Sequence, residues 1–234
     1  PVAEKIGLVD KPNFRKRHQG LIPLIGGIAL FLGNLTFYAF QYDTMPLPGL
    51  YLLSVTILLI IGVLDDRFDI SPALRAGIQA VLAGAMIYSG LELESLGQII
   101  APFSIKLGFF SLLFTVFITI GVINAFNMVD GIDGLLAGLS SVSFAGIGAL
   151  MWINGEHAIA FWCLAIILTL IPYAMFNLSV FGAKWKVFMG DSGSTLIGFT
   201  IIWMLLLSTQ GQGHAISPIT GLWLIAVPLI DMVA

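Results

Sequence analysis

Long uncharged stretches alternate with short polar ones along the 234 residues of this chain. Residues 47–64, "LPGLYLLSVTILLIIGVL", carry no charge at all, and "DDRFDIS" follows at once. A helix that crosses the hydrocarbon core of a bilayer needs roughly 20 mainly apolar residues. Eight stretches meet or approach that length: about 21–40, 47–64, 73–90, 109–127, 135–153, 158–176, 194–208 and 216–233. The third and seventh are short or interrupted by glycine. Ser71-Pro72 marks one start, since Ser caps a helix and Pro at its first position lacks an N–H that would be unpaired anyway. The pattern predicts an all-α polytopic integral membrane bundle, a single transmembrane domain over 1–234 with about eight spans.

Composition agrees. The chain is 58% hydrophobic and 10% charged, with a mean hydropathy of +1.01, whereas soluble domains carry about 25% charged residues. The bilayer is therefore the expected partner, and no nucleic-acid partner is expected. A lone cysteine, Cys163, excludes an intrachain disulfide, and the net charge of −3 decides little. The opening segment is polar and basic rather than a signal peptide. It has no initiator Met, and "LIAVPLIDMVA" stops inside an apolar run. The reading is of a fragment, with at least one span before it and more after it.

Threading the spans sorts the charges by side. Lys5, Lys11, Arg15, Lys16, Arg17, Arg67, Arg75, Lys184 and Lys186 fall on one side, and Lys106 alone on the other. By the positive-inside bias the first side is cytoplasmic. Asp65, Asp66, Asp69, Asp130, Asp133 and Asp191 share it, with Asp231 near the same boundary. The bias says little about acids, so their gathering needs its own cause.

Three segments carry them. In "GVLDDRFDIS" two carboxylates adjoin, which is tolerated where water, a cation or a basic ligand offsets their repulsion. In "NAFNMVDGIDGLLAGLS", Asn124, Asn127, Asp130 and Asp133 recur every three residues, as along one slowly rotating helical stripe. In "KVFMGDSGSTLIGF", Gly190, Ser192, Gly193 and Ser194 surround Asp191 where a span begins, and free N–H groups at a helix start suit an anion such as phosphate. Each segment has a plain reading as a solvated flank, a turn, or interhelical hydrogen bonding by Asn. Three carboxylate clusters on one face weaken that reading. His157 and His214 are read as solvated and without a role, and Glu92 and Glu94 as surface. Hard oxygen ligands without Cys or paired His point to Mg²⁺ or Mn²⁺. Arg67, Arg75, Lys184 and Lys186 nearby suit a metal-bridged pyrophosphate at the membrane surface.

Those segments, with "VDKPNFRKRHQGLIPLIGG" before them, resemble the signature segments of the polyprenyl-phosphate N-acetylhexosamine-1-phosphate transferases, closest to the bacterial branch that transfers N-acetylglucosamine phosphate. The resemblance implies a reaction of UDP-GlcNAc with undecaprenyl phosphate to give undecaprenyl-pyrophosphoryl-GlcNAc and UMP, on the cytoplasmic face of the bacterial inner membrane. This step initiates lipid-linked glycan synthesis. Catalytic roles are implied for Asp65, Asp66 and Asp191, and metal contact for Asp191, Asn127 and Asp65. Substrate binding is implied for Asn124, Asp130, Asp133, Arg75, Lys186, Gly190 and His18. A complete member of the family has about ten or eleven spans and a His-rich cytoplasmic loop beyond the point where this chain stops.

The phospho-MurNAc-pentapeptide transferases of the same family are the nearest alternative, and "DDRFDIS" in place of a Lys-bearing continuation favours the GlcNAc branch. An ion-coupled transporter is the alternative of another class. Transporters place such carboxylates near the midplane, commonly within inverted repeats; here they lie at one boundary and no repeat is visible. The apolar surface of the bundle allows a homodimer without identifying its interface.

Overall fold

The computed structural model describes residues 2–10, 20–98, 105–210 and 215–233. His18 and the basic residues Lys11, Arg15, Lys16 and Arg17 lie outside the described residues. In chain order the elements are α1 (Val2–Ile6), β1 (Val9–Asp10), β2 (Ile22–Pro23), α2 (Gly26–Gln41), α3 (Pro48–Phe68), α4 (Pro72–Tyr88) and α5 (Ser111–Val129). They continue with α6 (Leu135–Ile153), α7 (His157–Asn177), α8 (Gly190–Thr209), α9 (Pro218–Leu224) and α10 (Ala226–Val233). The architecture is an all-α polytopic membrane bundle, in which α3, α5, α6, α7 and α8 are long and apolar enough to cross a membrane.

Helix α8 occupies the centre, and its composition explains why. Its first turns are built from Gly190, Ser192, Gly193, Ser194, Thr195 and Gly198, and nearly every residue of the helix is buried. Small side chains let neighbouring backbones come close. A Cβ on Gly62 of α3 would sit 2.6 Å from the Ser192 nitrogen, and one on Gly198 would sit 2.7 Å from the Ile123 Cα of α5. Helices α2, α3 and α5 thus pack on α8 almost backbone to backbone, while α7 covers α6 and α2.

A buried polar cluster links four of these helices. The Trp162 indole N–H donates to Asn34 Oδ1 at 2.9 Å. The Asn34 amide donates to the Tyr51 hydroxyl at 2.6 Å, and that hydroxyl bonds Thr200 at 2.8 Å. Tyr38 stacks on Tyr51 with ring centroids 5.1 Å apart. Most buried polar groups find partners of this kind. Asn34→Ala removes the shared partner of Trp162 and Tyr51. The full-length protein should lose about 1–2 kcal/mol, read as a lower unfolding midpoint in detergent.

Three departures from the hydrophobic pattern each have a local reason. Residues 21–25 are not helical: β2 pairs antiparallel with β1, and the Pro23 carbonyl accepts the Phe188 N–H at 2.9 Å, so α2 starts at Gly26. With 16 residues, α2 is short for a span, as is α4 with 17. Helix α3 runs on to Phe68, so Asp65 and Asp66 belong to its last turn rather than to a loop. The expected span at 216–233 is broken at Ile225 into α9 and α10. Pro228 has no N–H for the Leu224 carbonyl, and Ser143 of α6 donates its hydroxyl there instead, at 2.8 Å. Ser71 does cap α4, and Pro72 opens it.

Candidate active site

At one end of the bundle, the last turns of α3 and α5 meet the first turns of α4 and α8. Asp69 ends α3 in the left-handed conformation, φ 54°. The turn that follows brings the Ile70 N–H onto Asp65 Oδ1 at 2.7 Å. The other Asp65 oxygen accepts from Arg75 Nη1 at 2.5 Å. Arg75 sits one turn into α4 and also lies 3.5 Å from Asp191 Oδ2, so one guanidinium bridges two carboxylates from distant segments. Asp65 is buried, whereas the Asp191 side chain is 36% exposed and forms the open end of the pair.

Asp66 points the other way around α3. Its Oδ1 accepts the Asp191 N–H at 2.7 Å and its Oδ2 accepts the Ser192 N–H at 3.3 Å. Gly190 has φ +75°, and a Cβ there would fall 2.6 Å from Asp66 Oδ2. Only glycine allows both this backbone turn and this approach.

The second acidic segment divides between helix and turn. Asn124 and Asn127 lie on α5, as their spacing predicts, but the helical stripe stops there, since Asp130 caps α5 and Asp133 stands in the following turn. Asn127 donates to Asp191 Oδ1 at 2.6 Å and to Ser194 at 2.8 Å. Asn124 donates to Gln79 Oε1 at 3.1 Å. Asp133 and Lys186, both singled out in the sequence, form an ion pair with each other. Burial first, and then the charges of Asp191 and Asp66, hold the Asp130 carboxyl well above the ordinary carboxylate range; the Gly190 N–H works against them. The N–H groups of Gly190, Asp191 and Ser192, at the helix start that the sequence offered to a phosphate, are thus engaged by carboxylates of the chain itself.

Two structural partners carried only a weak sequence signal. Gln79 is buried and lies four residues after Arg75 on α4, so both share one helix face. Asn177, at the end of α7, accepts the Gly134 N–H at 2.6 Å and donates to the Val187 carbonyl at 3.1 Å, tying the second and third acidic segments together. A lone polar residue inside an apolar run, or at its end, was the available clue to each.

A narrow cleft opens between α3, α4 and α8. Asp65, Arg75 and Asp191 form its polar end; Leu58, Ile61 and Ile78 form its apolar wall. Among the described residues, no three acidic, His or Cys side chains converge on one point. The donors at hand are hard oxygens with excess negative charge. They fit a cation such as Mg²⁺, which takes one or two carboxylates and completes its shell with substrate phosphates and water.

Residues 49–209, which contain this whole arrangement, match the glycosyl transferase family 4 model. The chain belongs to that family. Among individual proteins, it is 64% identical over 236 residues to the undecaprenyl-phosphate alpha-N-acetylglucosaminyl 1-phosphate transferase of Haemophilus influenzae, covering all of this chain and 66% of that protein. It is 56% identical over 234 residues to the protein of the same name from Salmonella typhi, covering all of this chain and 64% of the relative. The chain thus spans about two-thirds of the length of these curated relatives.

Proposed function

We propose that the full-length protein transfers GlcNAc-1-phosphate from UDP-GlcNAc to undecaprenyl phosphate, releasing UMP, at the cytoplasmic face of a bacterial inner membrane. The observation that carries this reading is the meeting of Asp65, Arg75, Asn127 and Asp191 at one end of the bundle, beside an apolar wall. Nine of the ten cations thread to that side, which supports the cytoplasmic assignment. The names of the relatives support the acceptor and the sugar.

Asp191, Asn127 (through its amide oxygen) and Asp65 are the groups that would hold Mg²⁺ or Mn²⁺. The ion, when bound, supplies charge neutralisation between two anionic substrates. The chain's own part begins with the acceptor. A phosphate monoester has a second pKa of about 6, so the lipid phosphate is largely dianionic at neutral pH and needs little activation. Arg75 orients it at the mouth of the cleft. Asp65, held by the Ile70 N–H and by Arg75, positions that phosphate or accepts a residual proton. A lipid phosphate oxygen attacks the β-phosphorus of the UDP-sugar; the bond from that phosphorus to the bridging oxygen breaks, and its electron pair leaves with UMP. Asn124, Asp130 and Asp133 belong to the segment that would serve the nucleotide, and Lys186, a further substrate-binding group, pairs with Asp133.

The test uses the full-length protein with radiolabelled UDP-sugars, undecaprenyl phosphate and each metal in turn. Label should pass into the lipid extract from UDP-GlcNAc alone, with equimolar UMP. Label from another UDP-sugar would replace the proposed donor, and a stoichiometric phospho-aspartate formed from the UDP-sugar without lipid would replace direct attack.

A further inference from the structure

The two neighbouring aspartates make different contacts. Asp65 faces the cleft and Arg75, whereas both oxygens of Asp66 are committed to the backbone of α8. The first N–H groups of a helix have no partner within it. In α8 those of Asp191 and Ser192 are met by a carboxylate delivered from α3, more than a hundred residues earlier in the chain. Its negative charge also lies where the helix dipole favours one.

We propose that Asp66 is a positioning residue: it locks the first turn of α8 and thereby aims the Asp191 carboxylate at the cleft. Three observations agree. Asp66 bonds the N–H of Asp191 itself, so the cap fixes the residue whose side chain is open. Gly62, one turn before Asp66 on α3, brings that helix onto Ser192 with no room for a Cβ, so the carboxylate arrives at a fixed height. Gly190 leaves the space that the Asp66 oxygens occupy. With its backbone so held, Asp191 keeps one oxygen on Asn127 and the other toward Arg75. The inference rests on the proposed reading for one point only, that Asp191 holds the cation.

Full-length protein carrying Asp66→Ala, Asp66→Asn, Gly190→Ala or Asp65→Asn decides it, by three measurements on each: hydrogen exchange of the 186–196 region, Mn²⁺ affinity by electron paramagnetic resonance without substrate, and transfer kinetics. Asp66→Ala should raise exchange at the start of α8 at least about tenfold. It should also weaken Mn²⁺ binding about 10–100-fold, as loss of a group that orients a ligand does. Asp66→Asn, whose amide oxygen still accepts one N–H, should fall between Asp66→Ala and wild type in all three. Gly190→Ala, which displaces the carboxylate while leaving it in the chain, should repeat the Asp66→Ala pattern. Asp65→Asn should lower transfer and leave exchange at the α8 start unchanged. The proposal is overturned if Asp66→Asn or Asp66→Ala abolishes transfer with wild-type exchange and wild-type Mn²⁺ affinity, because Asp66 would then act on substrate directly. It is equally overturned if neither variant differs from wild type. Should the wild-type protein transfer no sugar phosphate at all, the functional reading fails, while exchange and Mn²⁺ affinity still decide the role of the cap.

Discussion

Asp191→Asn should reduce kcat/KM for sugar-phosphate transfer by about 10²–10³, the range for removing one preorganised electrostatic group from a reacting centre. The substitution keeps the size of the side chain, and its amide oxygen can still accept from Asn127, so folding should be little affected. What it removes is the open carboxylate that Arg75 and Asn127 frame. The loss should therefore depend on metal concentration, with half-activation moving to higher Mg²⁺ while the unfolding midpoint in detergent stays within about 0.5 kcal/mol of wild type. A wild-type magnesium response in this variant would remove Asp191 from the set of metal ligands.

The second large effect is structural. Gly62→Ala places a methyl group against the backbone of Ser192, which cannot move aside as a side chain can. Overpacking of this kind costs about 1–3 kcal/mol. It should separate α3 from α8 and with them Asp66 from the start of α8, so that stability and transfer fall together. Gly84→Ala on α4 is the control, since a Cβ there meets nothing within 4 Å. That change should be neutral, or stabilising by about 0.5–1 kcal/mol through helix propensity. Thermal unfolding of both variants in the same detergent makes the comparison. Equal midpoints would mean that α3 and α8 can separate without penalty.

The helices were legible because apolar length is a property of the chain alone. Helices α3, α5, α6 and α7 stand within a few residues of the stretches that predicted them. The break at Ile225 carried a signal in Pro228, but its outcome depended on Ser143 of α6 accepting the role of donor. The acidic site was legible as a gathering on one side. It was not legible as an arrangement, because hydrogen bonds between distant segments decide where each carboxylate points. Adjacent residues on a helix diverge by about 100°; that turns Asp65 toward Arg75 and Asp66 toward α8, but only the position of α8 tells what Asp66 meets. Gln79 and Asn177 stayed hidden for a related reason. A single buried amide reads as an isolated polar residue until its partners, Asn124 in one case and Gly134 with Val187 in the other, are brought to it.

From the order of residues alone come the membrane class, most of the long helices and the side on which the charges collect, since hydropathy and helix length are additive along a chain. Which partner each carboxylate meets belongs to the tertiary structure. Hydrogen bonds and ion pairs act over about 3–4 Å, so residues 65, 66, 127 and 191 acquire roles only once the glycine-rich crossings of α3 and α5 with α8 bring them within that reach.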